Sequence, residues 1–148
     1  EGNDHYPAGW YMRNPPGSSH QPFSDEGAII FVKLWQMRQS ESRRVRIDTR
    51  ESSSWQRREG RDIYICPLFS DDSEQVTLQR LMPTEMLFTE AVDGAELLVL
   101  AGELIAREQS YKPGSWIRLP AGEYPEFIAG ATGATFYLKT GRLGGIAI

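Results

Sequence analysis

The feature that most constrains this chain is that it repeats itself at long range. The segment Tyr6-Pro7-Ala8-Gly9-Trp10-Tyr11-Met12-Arg13-Asn14-Pro15-Pro16-Gly17 returns as Tyr111-Lys112-Pro113-Gly114-Ser115-Trp116-Ile117-Arg118-Leu119-Pro120-Ala121-Gly122. Tyr6/Tyr111, Gly9/Gly114, Arg13/Arg118, Pro15/Pro120, Gly17/Gly122 and Phe31/Phe136 coincide without a gap at one offset of 105 residues (111 − 6). Solenoid repeats run to roughly 20 to 50 residues, so this period describes a duplicated domain. Two such units need about 200 residues, and the chain has 148. A long strand-like stretch precedes Tyr111, whereas only Glu1 to His5 precede Tyr6. The expectation is a C-terminal part of a longer product, whose first copy lacks its front half.

Short runs rich in β-branched and aromatic residues, punctuated by 14 glycines and 9 prolines, predict an all-β chain. Strands are expected near Trp10 to Arg13, Ala28 to Trp35, Val45 to Asp48, Asp62 to Pro67, Gln75 to Met82, Met86 to Thr89, Glu96 to Leu100, Glu103 to Arg107, Ser115 to Arg118 and Ala134 to Lys139. Their spacing suits a closed barrel or jelly roll. In Gln75 to Leu81, alternation sets Val76 and Leu78 on one face and Thr77 and Gln79 on the other. Glu41 to Trp55 has room for a short helical turn at most. The expected organisation is residues 1–37 as the C-terminal half of a first barrel, 38–44 as a connector, 45–143 as a complete second barrel and 144–148 as a tail.

Forty per cent apolar and 24% charged residues describe an ordinary globular protein. No apolar run approaches the roughly 18 residues of a membrane helix. A net charge of −4 argues against a nucleic-acid binder. Eight arginines against four acids between Arg38 and Arg61 form a basic stripe, which its serines mark as a solvated connection rather than a phosphate track. The lone Cys66 has no partner for an internal disulfide, so the cytoplasm is the expected compartment.

Tyr6 to His20, continuing through Gln21-Pro22-Phe23-Ser24-Asp25-Glu26-Gly27 and Ile30-Phe31-Val32-Lys33-Leu34, resembles the second signature of the cupin superfamily, in the form found in ChrR-like cupins. The second copy, ending Ala134-Thr135-Phe136-Tyr137-Leu138-Lys139, is similar to a diverged cupin of the same kind. The resemblance implies an all-β cupin fold: one complete jelly-roll barrel preceded by half of another. Turns at Pro-x-Gly and Pro-Pro-Gly agree with it, since proline presets φ and glycine accepts positive φ, and they release His20 at a strand start. In cupins a His-x-His…Glu signature and the histidine of the second signature hold the metal. Three imidazoles and a carboxylate suit zinc, iron or manganese. Only His20 matches a ligand, and the resemblance implies that its partners lie ahead of Glu1. In the second copy the first-signature positions fall at Thr89, Ala91 and Ala95, with Glu96 the nearest acid, and the second-signature histidine is replaced by Pro125. None of these is a nitrogen donor, so the second barrel is expected to hold no metal.

Blander readings stand beside these. His5 is expected in solvent and Asp25–Glu26 in a surface turn. Cys66 is expected as a buried structural thiol, because no cation stands near it to lower its pKa. Trp10, Trp35, Trp55 and Trp116 are expected in packing, and Arg13 and Arg118 in a shared structural ion pair or backbone contact. Ser18 or Ser19 beside His20 lacks a nucleophile elbow and is not a hydrolase triad. Two functional classes follow from the resemblance. One is a sensor, regulatory or small-molecule-binding double cupin with metal in its first barrel, with a sigma factor as a partner by analogy with ChrR. The other is a metal-dependent dioxygenase or related enzyme acting on a small carbonyl or phenolic compound. The open strands of a half barrel imply a homodimer or pairing with the absent N-terminal segment.

Overall fold

The structure is a computed structural model that describes residues 4–122 and 126–141. Nine strands in two antiparallel sheets account for nearly all of its regular structure, with one 3-10 turn at Ser52–Ser54. Strand β1 (Trp10–Arg13) pairs with β2 (Val45–Asp48) as a two-stranded ribbon, Trp10 opposite Asp48 and Arg13 opposite Val45. The remaining strands are β3 (Gln56–Arg57), β4 (Ile63–Ser70), β5 (Glu74–Leu81), β6 (Ala95–Ala106), β7 (Gln109–Tyr111), β8 (Trp116–Leu119) and β9 (Ile128–Gly141). They form one sheet in the order β3-β4-β5-β9-β6-β7, with β8 also on β6.

The two long strands at the middle of this sheet explain how it closes on a core. Where β6 and β9 run together the register shifts at Val99/Ala101 and Gly102/Leu104. Bulges of this kind bend and twist a strand pair. A Cβ on Gly102, whose φ is 66°, would run into the Gly133 carbonyl oxygen, so close backbone approach requires glycine at the bend. The sequence suggests two strands around a turn at Gly102, whereas the structure has a single bent one. Past the bend, Leu87 N–H bonds the Phe127 carbonyl at 2.8 Å, and Met86 only bridges Ile128 where a full strand over Met86 to Thr89 is expected.

The strand period of two sorts side chains to opposite faces. Ile63, Leu81, Leu97, Val99, Leu104, Phe127, Phe136 and Leu138 form the apolar interior. The opposite face is buried as well: Cys66, Leu68, Phe69, Val76 and Tyr137 lie under Tyr11, Val45 and Ile47 of the ribbon and under Trp55. Val76 and Leu78 do share a face, as the alternation predicts, and it is the face beneath the ribbon.

Residues 14–44 contain no strand. Ala28 to Trp35, expected as one, runs between Gly27 (φ 84°) and Trp35 (φ 60°) without backbone pairing to any described residue. A sequence suited to a strand becomes one only when a neighbouring chain takes up its hydrogen bonds. A bulky residue such as Trp35 in the left-handed region is itself an outlier, and it ends the run abruptly.

Candidate functional site

His20 lies on irregular chain between two turns. The first is closed by Ser18, whose N–H and Oγ both donate to the Pro15 carbonyl, at 3.2 and 2.6 Å. The second, at Asp25–Gly27, is closed by Ser24 Oγ donating to the Gly27 carbonyl at 2.9 Å. The imidazole is exposed and bonds none of the described residues. It is not at a strand start, because the strand expected beside it has no partner. His5 is exposed too, and Asp25–Glu26 is the expected surface bend. Among the described residues no group of three or more His, Cys, Asp or Glu side chains is placed to hold a metal. These residues therefore supply one donor and do not fit a complete metal site, which needs three or four.

In the second copy, Thr89 and Ala91 are exposed and Ala95 is buried in the apolar interior. Pro125 lies outside the described residues. Glu96, one position along from Ala95, points the other way, out of the interior and into the seam beneath the first copy.

That seam holds the main concentration of buried charge. Glu74 at the start of β5 accepts from Arg13 Nη2 at 2.8 Å and pairs with Lys139 Nζ at 2.5 Å. All three residues are less than a tenth exposed. Arg13 also stands 3.5 Å over the Phe69 ring, whose centroid lies 4.1 Å from the Arg43 guanidinium. Its Nε is buried without a hydrogen-bond partner among the described residues, and the guanidinium rests on the Glu74 carboxylate and the Phe69 ring, with the Tyr11 hydroxyl beside it. Alongside, Glu96 takes Lys33 on one oxygen and Trp116 Nε1 on the other, the latter at 3.0 Å. Burial alone would raise the Glu96 carboxyl, but the Lys33 and Trp116 hydrogen bonds and the Lys33 and Lys139 charges outweigh it and hold it below the usual carboxylate range. Burial likewise lowers Lys33, against the pull of Glu96. Phe31 packs edge-on to Tyr137 at 5.4 Å, and burial pushes the Tyr137 and Tyr11 hydroxyls upward.

Two first-copy cations thus sit on two second-copy carboxylates. The equivalence of Arg13 and Arg118 points to an ion pair only for Arg13: Arg118 is exposed on β8, without a described carboxylate on it. Glu74 was missed by sequence reasoning. The one signal available was an acid opening a strand whose next apolar residues, Val76 and Leu78, do not face the interior. Of the four tryptophans, Trp55 packs under Arg80 at 4.7 Å and Trp10 against Tyr6 at 5.1 Å, whereas Trp35 and Trp116 are 97% and 58% exposed. Cys66 is fully buried and burial raises its thiol, as expected of an inert structural cysteine.

An open hollow of about 480 Å³ lies along the turn at Arg57–Asp62, against Glu85. Two of its arginines are already engaged, Arg57 with Asp62 and Arg61 with Glu85, while the Arg58 side chain pairs with none of the described residues.

The fold defined by these strands is that of a cupin. An RmlC-like cupin from Shewanella frigidimarina superposes with a TM-score of 0.50 at 10% identity, over 62% of this chain and 86% of that one. A chain of the Rhodobacter sphaeroides complex between SigE and the anti-sigma ChrR gives 0.49 at 17% identity, over 59% of this chain. The polyketide cyclase RemF from Streptomyces resistomycificus gives 0.47 at 20% identity, over 54% of this chain and 65% of that one. The match spans 47% of the chain from the SigE complex. More narrowly, residues 1–38, which include His20, match the family of the ChrR cupin-like domain. No curated protein matches.

Proposed function

We propose that the chain serves a ChrR-like double cupin, a metal-binding sensor or small-molecule-binding module, in which His20 is one ligand of a divalent metal and the second copy is a metal-free structural partner. The observation that carries this reading is the placement of His20 inside the 1–38 match to the ChrR cupin-like domain. The exposed, unengaged imidazole supports it, since a ligand needs a free ring nitrogen. The remaining donors are not among the described residues. When bound, the metal would supply a fixed positive charge that draws in anionic or carbonyl groups. The second copy supports the first by burying Arg13 and Lys33 and so fixing the ends of the segment that carries His20.

An enzymatic role is less well supported, because the interior is lined by apolar side chains among the described residues and offers no convergent polar groups there. The lone buried Cys66 favours a cytoplasmic protein. A sigma factor partner rests on analogy with ChrR alone. The test is the metal content of the native protein and of its His20→Ala variant, purified identically. Loss of most of the metal in the variant is the expected result, and equal content in both rejects His20 as a ligand.

A further inference from the structure

We propose that Arg80, with Tyr64 and Arg57 beside it on the outer face of the sheet, binds the phosphate group of a small ligand. The register builds the row: Arg57 of β3 stands opposite Tyr64 of β4, Tyr64 opposite Arg80 of β5, and Arg80 opposite Thr135 of β9. Residues directly opposite one another project to one face. Here it is the face that also carries Cys66 and Tyr137, since Ile63 and Ile65 on either side of Tyr64 turn to the interior.

Three observations single out Arg80 as the anchor. Its guanidinium lies 4.7 Å from the centre of the Trp55 ring. That indole is itself fixed, with Nε1 donating to the Thr49 carbonyl at 2.7 Å and its ring packed against the outer apolar cluster. A guanidinium stacked in this way keeps its N–H edge for a ligand and loses little freedom on binding. Next, Arg43, Arg50, Arg57 and Arg61 each hold a carboxylate, whereas no carboxylate of the described residues pairs with Arg80. Its same-face neighbours are uncharged: Leu78 and Met82 along β5, and Tyr64 and Thr135 across it. Finally, the flanking side chains add donors of the right kind. The Tyr64 hydroxyl bonds none of the described residues, and Arg57 uses only Nη2, on Asp62. With strands about 4.8 Å apart, Arg57 and Arg80 leave the backbone about 10 Å from one another, so both can close on one tetrahedral anion above Tyr64. A phosphate group offers three acceptor oxygens to two forks and a hydroxyl, where a carboxylate offers two. Asp62, paired with Arg57 at the end of the row, competes with the anion.

Titration of the full-length protein with sodium phosphate at constant ionic strength tests this, at about pH 7.5 where the phosphate is mostly doubly ionised. The readout is the NMR signals of the arginine Nε–H and tryptophan Nε1–H groups. Saturable shifts of Arg80 and Trp55 in the millimolar range are expected. Arg80→Gln weakens binding at least tenfold, and Arg80→Lys, which keeps the charge and loses the fork, weakens it severalfold. Asp62→Asn tightens binding severalfold, a gain that damage to the fold would not produce. His20→Ala leaves it unchanged, which separates this site from phosphate held on a metal. Phenyl phosphate binding more tightly than phosphate identifies a phosphate ester as the ligand, and equal binding identifies the free ion. The absence of a saturable shift at about 50 mM phosphate overturns the proposal. So does acetate binding equally well, an Arg80→Gln variant that binds like the parent, or an Asp62→Asn variant that binds no better.

Discussion

Removing the Glu74 carboxylate is the sharpest perturbation of the seam. Glu74 is 8% exposed and is shared by Arg13 and Lys139, themselves 9% and 4% exposed. In Glu74→Ala two cations remain buried side by side without a counter-charge. Taking away one member of a buried ion pair costs about 3–5 kcal/mol, mostly the desolvation of what is left unpaired. With an m value of about 2 kcal/mol/M, the urea midpoint should fall by about 2 M at unchanged m. Arg13→Met should cost less, because Glu74 keeps Lys139 and the methionine still packs on Phe69. Replacing Arg13, Glu74 and Lys139 together by methionine should recover most of the loss, since apolar side chains of similar volume replace a buried ionic group at little or no cost. Arg57→Ala, in a pair whose side chains are about 60% exposed, is the control and should cost under about 1 kcal/mol. A Glu74→Ala midpoint within about 0.5 M of the parent would show that the triad contributes little and refute the reasoning.

Two further outcomes follow from the same geometry. Because the Glu96 carboxyl ionises more readily when folded than an ordinary glutamate, the unfolded chain binds its proton more tightly. Its contribution is therefore fully present above about pH 5 and is lost as pH falls through the lowered folded value. The stability gap between the parent and Glu96→Gln, read from urea midpoints, should narrow from pH 7 to pH 3.5; a constant gap contradicts the assignment. Gly102→Ala adds a Cβ against the Gly133 carbonyl at a φ of 66° and should cost upwards of about 3 kcal/mol, read as a lower melting temperature. An unchanged melt would mean that the β6–β9 bend is not set there.

What could be read from the residues was local. Trp10 to Arg13 and Val45 to Asp48 are strands with the bounds their patterns suggest, and Cys66 is buried as its apolar neighbours imply. Glu96 to Leu100 and Glu103 to Arg107 read as separate strands because glycine marks both turns and bulges, and only the pairing with β9 distinguishes them. Ala28 to Trp35 carries strand chemistry without a strand, since propensity describes what a segment can do once paired. The seam was illegible for a related reason: Arg13 meets Glu74 and Lys33 meets Glu96 across 61 and 63 residues, and no local pattern announces such contacts. His20 stands out in the sequence through the resemblance of Tyr6 to His20 to the second cupin signature, whereas the residues themselves name no second ligand.

The most direct test of the account is the number of metal ions carried by each molecule of the full-length protein, measured by elemental analysis against protein concentration. One ion per molecule, lost in His20→Ala and kept in Thr89→Ala, is the predicted result. Two ions per molecule, or one that survives the loss of His20, would contradict a single site built on the first copy.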